Sequence, residues 1–135
     1  MGILCESSRL LKTERGFIVE IVFSGCCGEG SQGNPETSEM AAYVMTVVKN
    51  DRPAAILFNL SNLEYEFGDA IGGIALPLML DKKSVIPACF VANGTTAQAL
   101  ERFFQRDMIF GIAGFKLFPD PEQGLAFLKE RTSAT

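Results

Sequence analysis

The chain reads as blocks of differing apolar period, separated by turn signals. Ile3 to Lys12 is a weakly patterned first strand, and Thr13-Glu14-Arg15-Gly16 has the make-up of a hairpin turn. Phe17 to Phe23 is apolar except for Glu20 and reads as a strong strand. Gly25 to Pro35 is then rich in glycine and poor in apolar residues, a connection long enough to carry function. At its end Asn34 can cap a helix whose first position is Pro35, where a missing N–H costs nothing. Met40, Tyr43, Val44, Val47 and Val48 follow the i, i+3, i+4 spacing of one buried helix face, and Asp51-Arg52-Pro53 ends that helix.

Ala54 to Leu60 is apolar at successive positions except Asn59, the pattern of a central strand covered on both faces. A second helix is predicted from near Asp69, with Ile71, Ile74, Ala75 and Leu78 inward and a bend at Pro77. Val85 to Ala92 is the next predicted strand. Asn93-Gly94 turns the chain, and Thr95 or Thr96 caps a third helix with Ala97, Leu100, Phe103 and Phe104 inward. Phe115 to Phe118 is a short last strand. Asp120-Pro121-Glu122-Gln123 then combines an acceptor at the cap, proline first and glutamine third, and opens a last helix with Leu125 and Leu128 inward. The order is β-β-α-β-α-β-α-β-α. Strands separated by helices imply right-handed crossovers, hence a mixed, mostly parallel α/β sheet packed with helices in one domain spanning residues 1–135.

Composition narrows the chemistry. The chain has 135 residues, 47% of them hydrophobic, a net charge of −4 and no histidine. Without histidine there is no His-based triad, general base or metal site. The acidic balance argues against nucleic acid as a partner, which would need a basic face. The N-terminus lacks the basic start and apolar run of a signal peptide, and no apolar run has the length of a membrane span; a cytoplasmic protein with reduced thiols is expected. Cys89 lies in an apolar run as a small core residue, whereas Cys26 and Cys27 adjoin in the glycine-rich loop without a CxxC pair.

The element order and several segments resemble the STAS domain of sulfate transporters and anti-sigma factor antagonists. Ile56-Leu57-Phe58-Asn59-Leu60-Ser61-Asn62-Leu63 is similar to that family's third strand, which ends in Asp-Leu-Ser and an apolar residue. Phe67-Gly68-Asp69-Ala70-Ile71-Gly72-Gly73 is similar to its strand-to-helix junction, Asp-Ser-Ser-Gly-Leu-Gly. The short Phe-rich strand followed by Glu122 to Leu128 is similar to its ending. The resemblance implies a non-enzymatic bacterial regulator that binds a kinase-like anti-sigma factor. In such proteins a serine at the start of the second helix switches binding when phosphorylated, because phosphate there meets free N–H groups and changes the docking charge. Here that position falls on Ala70, so the switch is expected to be absent, and Asn59 replaces the usual strand-end Asp. The partner surface implied runs over Ser61, Asn62, Glu64, Tyr65, Glu66, Gly68, Asp69 and Ala70, with the Gly25 to Pro35 loop beside it. No cofactor, metal or membrane is implied, and a homodimer is a further candidate assembly.

Two other readings start from residues. Gly28-Glu29-Gly30-Ser31-Gln32-Gly33 spells GxGxxG between a strand and a helix, the form of a loop that approaches a pyrophosphate. It follows a hairpin strand, the helix starts after the last glycine, and Asn59 stands where an acidic residue would end the next strand. What survives is an alternative in which Gly28, Gly30, Gly33 and Asn34, with the helix start near Asp69, hold a small anionic ligand or nucleotide. A third reading is thiol redox chemistry at Cys26 or Cys27, which would lack a histidine to activate it.

Overall fold

The computed structural model describes residues 3–26, 34–64, 74, 76–79, 85–106 and 114–133. The first two strands, β1 (Ile3–Thr13) and β2 (Gly16–Cys26), form an antiparallel hairpin with a bulge between Arg9 and Leu11. Its turn is held by Thr13, whose hydroxyl donates to the Gly16 carbonyl at 2.7 Å and accepts from the Arg15 N–H at 3.2 Å. Gly16 has φ +134°, a conformation open to glycine and rare for any residue with a Cβ. The strand carries on through Cys26, so this cysteine ends β2 and is not in the connecting loop. The pairing of Cys26 with Glu64 on the next strand supplies the reason.

Helix α1 (Asn34–Asp51) opens where Asn34-Pro35 predicts and buries Met40, Val44 and Val47, with Tyr43 and Val48 packed beside them. It closes at Arg52, a residue with φ +45° whose N–H donates to the Val48 carbonyl at 3.2 Å, and Pro53 follows. The chain then enters β3 (Ala55–Glu64), the middle strand of a five-stranded sheet of order β1-β2-β3-β4-β5. After the first hairpin every neighbouring pair is parallel.

Successive β3 residues serve two cores. Ile56, Phe58 and Leu60 join Val19, Ile21 and Phe23 of β2 beneath α1. Ala55 and Leu57 join Ile18 and Leu128 on the opposite face. Three stacked or edge-on ring contacts cross the first core: Phe23–Phe58, Phe58–Phe90 and Phe90–Phe115, with centroids 6.4, 4.8 and 6.2 Å apart.

Two expectations shift in the next segment. The predicted start of a helix near Asp69 lies outside the described residues. Around Pro77 the chain forms a 3₁₀ turn, Leu76–Met79, in which Pro77 and Leu78 are buried; Ile74, before it, is buried too. Proline has no N–H to give, and a short first turn needs none at that place. The strand expected from Val85 is shorter: β4 is Ala88–Val91. Pro87 cannot extend the ladder as a donor, although its carbonyl accepts from the Ile56 N–H at 3.0 Å.

Helix α2 (Gly94–Arg106) follows, beginning before either threonine that the sequence offers as its cap. Strand β5 (Lys116–Phe118) and helix α3 (Pro121–Ser133) finish the fold. Asp120 caps α3 as expected, accepting from the Gln123 N–H and the Gln123 side-chain amide, both at 2.9 Å. Thus α1, the 3₁₀ turn and α2 cover one face of the sheet, and α3 packs on β3, β4 and β5 on the other. Beside α3, the hairpin presents Leu4, Glu6, Ser8 and Leu11 as exposed residues.

Candidate partner-binding surface

The second half of β3 carries the first residues of the predicted surface. A polar cluster fixes its geometry. Asn59 donates its Nδ2 to Glu20 Oε2 at 3.1 Å, across from β2. Its Oδ1 accepts from the Ser61 N–H at 3.1 Å and from the Ser61 hydroxyl. This accounts for asparagine where the STAS pattern has aspartate: an amide can satisfy Glu20 on one side and Ser61 on the other, whereas a carboxylate would face a carboxylate. Glu20 is the single polar interruption of the run Phe17 to Phe23, and its partner becomes visible only through the β2–β3 register.

Beyond Ser61, Asn62 is exposed and Leu63 is buried. The Leu63 carbonyl accepts from the buried hydroxyl of Thr96 at 2.7 Å. Thr96 is therefore no helix cap: its hydroxyl ties α2 to the end of β3, a role that spacing within the sequence cannot reveal. Of the predicted partner residues, Ser61, Asn62 and Glu64 lie together on β3. Tyr65, Glu66, Gly68, Asp69 and Ala70 lie outside the described residues.

The same holds for Gly28, Gly30 and Gly33 of the glycine-rich motif and for Cys27, while Asn34 opens α1. Cys26 and Glu64 are register partners, so the glycine-rich segment and the segment leading to Asp69 depart from adjacent strand ends.

At Cys5 and Cys89 the surroundings favour the protonated thiol over the nucleophilic thiolate. Burial pushes Cys89 up to about 12. Cys5 is raised by burial and then by the nearby Glu39 carboxylate. Among the described residues no group of Cys, Asp and Glu is arranged to hold a metal ion, and no helix is long and apolar enough to cross a membrane.

These features define a STAS-like α/β domain, the SpoIIAA-like fold. The chain is similar to the crystal structure of an anti-sigma factor antagonist from Mycobacterium paratuberculosis, with TM-score 0.60 and 20% identity, over 92% of this chain and 95% of that one. It is also similar to an uncharacterized protein with a SpoIIAA-like fold from Shewanella loihica PV-4, with TM-score 0.51 and 15% identity, over 94% of each chain. No family model and no curated protein matches the sequence.

Proposed function

We propose that the chain is a non-enzymatic regulatory binding module that docks a kinase-like anti-sigma factor. The docking surface begins at Ser61, Asn62 and Glu64 and continues through Tyr65, Glu66, Gly68, Asp69 and Ala70. The observation that carries this reading is the fold shared with an anti-sigma factor antagonist over nearly the whole of both chains. The β3 end supports it, because Ser61 and Asn62 stand exposed on a strand anchored from below by Thr96. Alanine at position 70 has no hydroxyl, so docking is constitutive rather than released by phosphate there.

The test is affinity capture with the host's own anti-sigma factors. The wild-type chain retains a kinase-like partner, and Asp69→Lys loses it while keeping a native circular-dichroism spectrum. Incubation of the complex with ATP adds no phosphate to the segment after Glu64. Undiminished capture by Asp69→Lys refutes the surface, and ATP-dependent phosphorylation in that segment refutes constitutive docking.

A further inference from the structure

The chain has five asparagines, at positions 34, 50, 59, 62 and 93, and only the last precedes glycine. An asparagine side chain is chemically labile where the backbone nitrogen of the next residue can reach its amide carbon. Local structure decides this. The following residue should lack a Cβ, its nitrogen should stand outside any hydrogen-bond ladder, and the asparagine side chain should be unheld.

The other asparagines fail these conditions. Asn34 is followed by Pro35, whose nitrogen has no proton to lose. Asn50 lies in α1, where the next N–H belongs to the helix ladder. Asn59 is held on both sides, by Glu20 Oε2 and by Ser61. Asn62 is exposed, but it is paired within β3 and followed by the buried Leu63, whose side chain crowds the nitrogen.

Asn93 meets every condition. It is exposed at the turn between β4 and α2. Gly94 has φ +62°, and a Cβ built on it would have no neighbour within 4 Å, so the space beside it is open. Gly94 also opens α2, and the first N–H groups of a helix have no intrahelical acceptor. The helix engages Asn93 through its backbone carbonyl, which accepts from the Ala97 N–H at 3.3 Å. Among the described residues, its side-chain amide has no hydrogen-bond partner.

We infer that Asn93 is a site of spontaneous deamidation, by cyclisation onto Gly94. The Gly94 nitrogen loses its proton and bonds to Asn93 Cγ, the Cγ–Nδ2 bond breaks, and ammonia leaves with that proton. Water then opens the cyclic imide. Attack at Cγ restores the main chain and leaves aspartate. Attack at the main-chain carbonyl carbon leaves isoaspartate, with the chain rerouted through Cγ. Val91 pairs with Asn59, so the new carboxylate arises at the end of the sheet where Ser61 and Asn62 stand. Aspartate suits the positive end of the α2 dipole, whereas isoaspartate lengthens the main chain by a methylene just before the helix. This goes beyond the docking reading above and does not depend on it.

The test ages the full chain in mildly alkaline buffer at physiological temperature, sampled over days by ion-exchange chromatography and peptide mass mapping. A more acidic species accumulates, with its mass gain confined to the peptide holding Asn93. Asn93 converts at least about tenfold faster than any other asparagine in the chain, and faster still as pH rises. Asn93→Gln, whose cyclisation needs a larger ring, keeps the native circular-dichroism spectrum and yields no such species. An Asn93 that stays intact while a free Asn-Gly peptide in the same buffer is consumed overturns the inference. So does conversion spread evenly over the five asparagines, or an acidic species that Asn93→Gln leaves undiminished.

Discussion

Gly124 sets the distance between α3 and the sheet, and replacing it by alanine tests that packing. In an ordinary helix interior this exchange stabilises by roughly 1 kcal/mol, because glycine loses more backbone freedom on folding. Here a Cβ at position 124 would lie 2.9 Å from Cys89 Sγ, 3.3 Å from Leu57 Cδ1 and 3.4 Å from Val91 Cγ2. All three neighbours are fully buried in the core beneath α3, so none can swing into solvent. Forcing a methyl group into such a contact costs about 1–3 kcal/mol. The overpacking exceeds the helix gain, and Gly124→Ala should destabilise by about 1 kcal/mol, equivalent to a fall of roughly 3–5 °C in Tm for a domain of this size.

Urea unfolding followed by circular dichroism measures the change, with an unaltered slope confirming that the native state is intact. A double-mutant cycle with Cys89→Ala isolates the contact, because removing Sγ makes room for the new methyl. In the Cys89→Ala background the same glycine substitution should turn neutral or stabilising. A Gly124→Ala protein at least as stable as the wild type, or a cycle with no coupling, would refute the close approach.

Two further outcomes follow from buried or half-buried polar groups. Asn59→Asp sets a carboxylate against Glu20 and should cost about 2 kcal/mol at pH 7, a penalty that fades in acid once the introduced carboxyl is protonated and can donate across the pair. Stability measured against pH checks this, and a deficit that persists unchanged in acid contradicts it. Cys89 has a thiol raised from 9.0 to about 12 in the folded state, so its contribution is complete below pH 9 and is lost as pH rises toward 12. The stability advantage of the wild type over Cys89→Ala should shrink across that alkaline window and stay flat between pH 6 and 8.

Much of the architecture is legible in local patterns because local physics decides it. The two-faced apolar run of β3 declares a central strand. Asp120 and Gln123 declare a helix start, and Met40, Val44 and Val47 declare a buried face. The losses have physical causes too. Val85 is apolar, but Pro87 interrupts the donors a ladder needs, so the strand begins at Ala88. Pro77 sits in a 3₁₀ turn where periodicity indicates a bent α-helix. Thr96 looks like a cap in sequence and is recruited by the Leu63 carbonyl, 33 residues away.

Less of the proposed docking surface is legible. Ser61 and Asn62 are exposed at the β3 end. The Glu20–Asn59 pair depends on parallel register and leaves no mark within any short window. Cys26 likewise counts as loop by its glycine neighbours, and becomes strand only because Glu64 pairs with it.

The order of strands across the sheet is also their order along the chain. Of the five strands the hairpin's two are made first, and each later strand finds its partner already made and waiting at one side. No strand has to be threaded between two others, so assembly advances in a single direction from a fixed starting rim. That rim is β1, made before the other four strands and so the strand edge available to neighbouring nascent chains for longest.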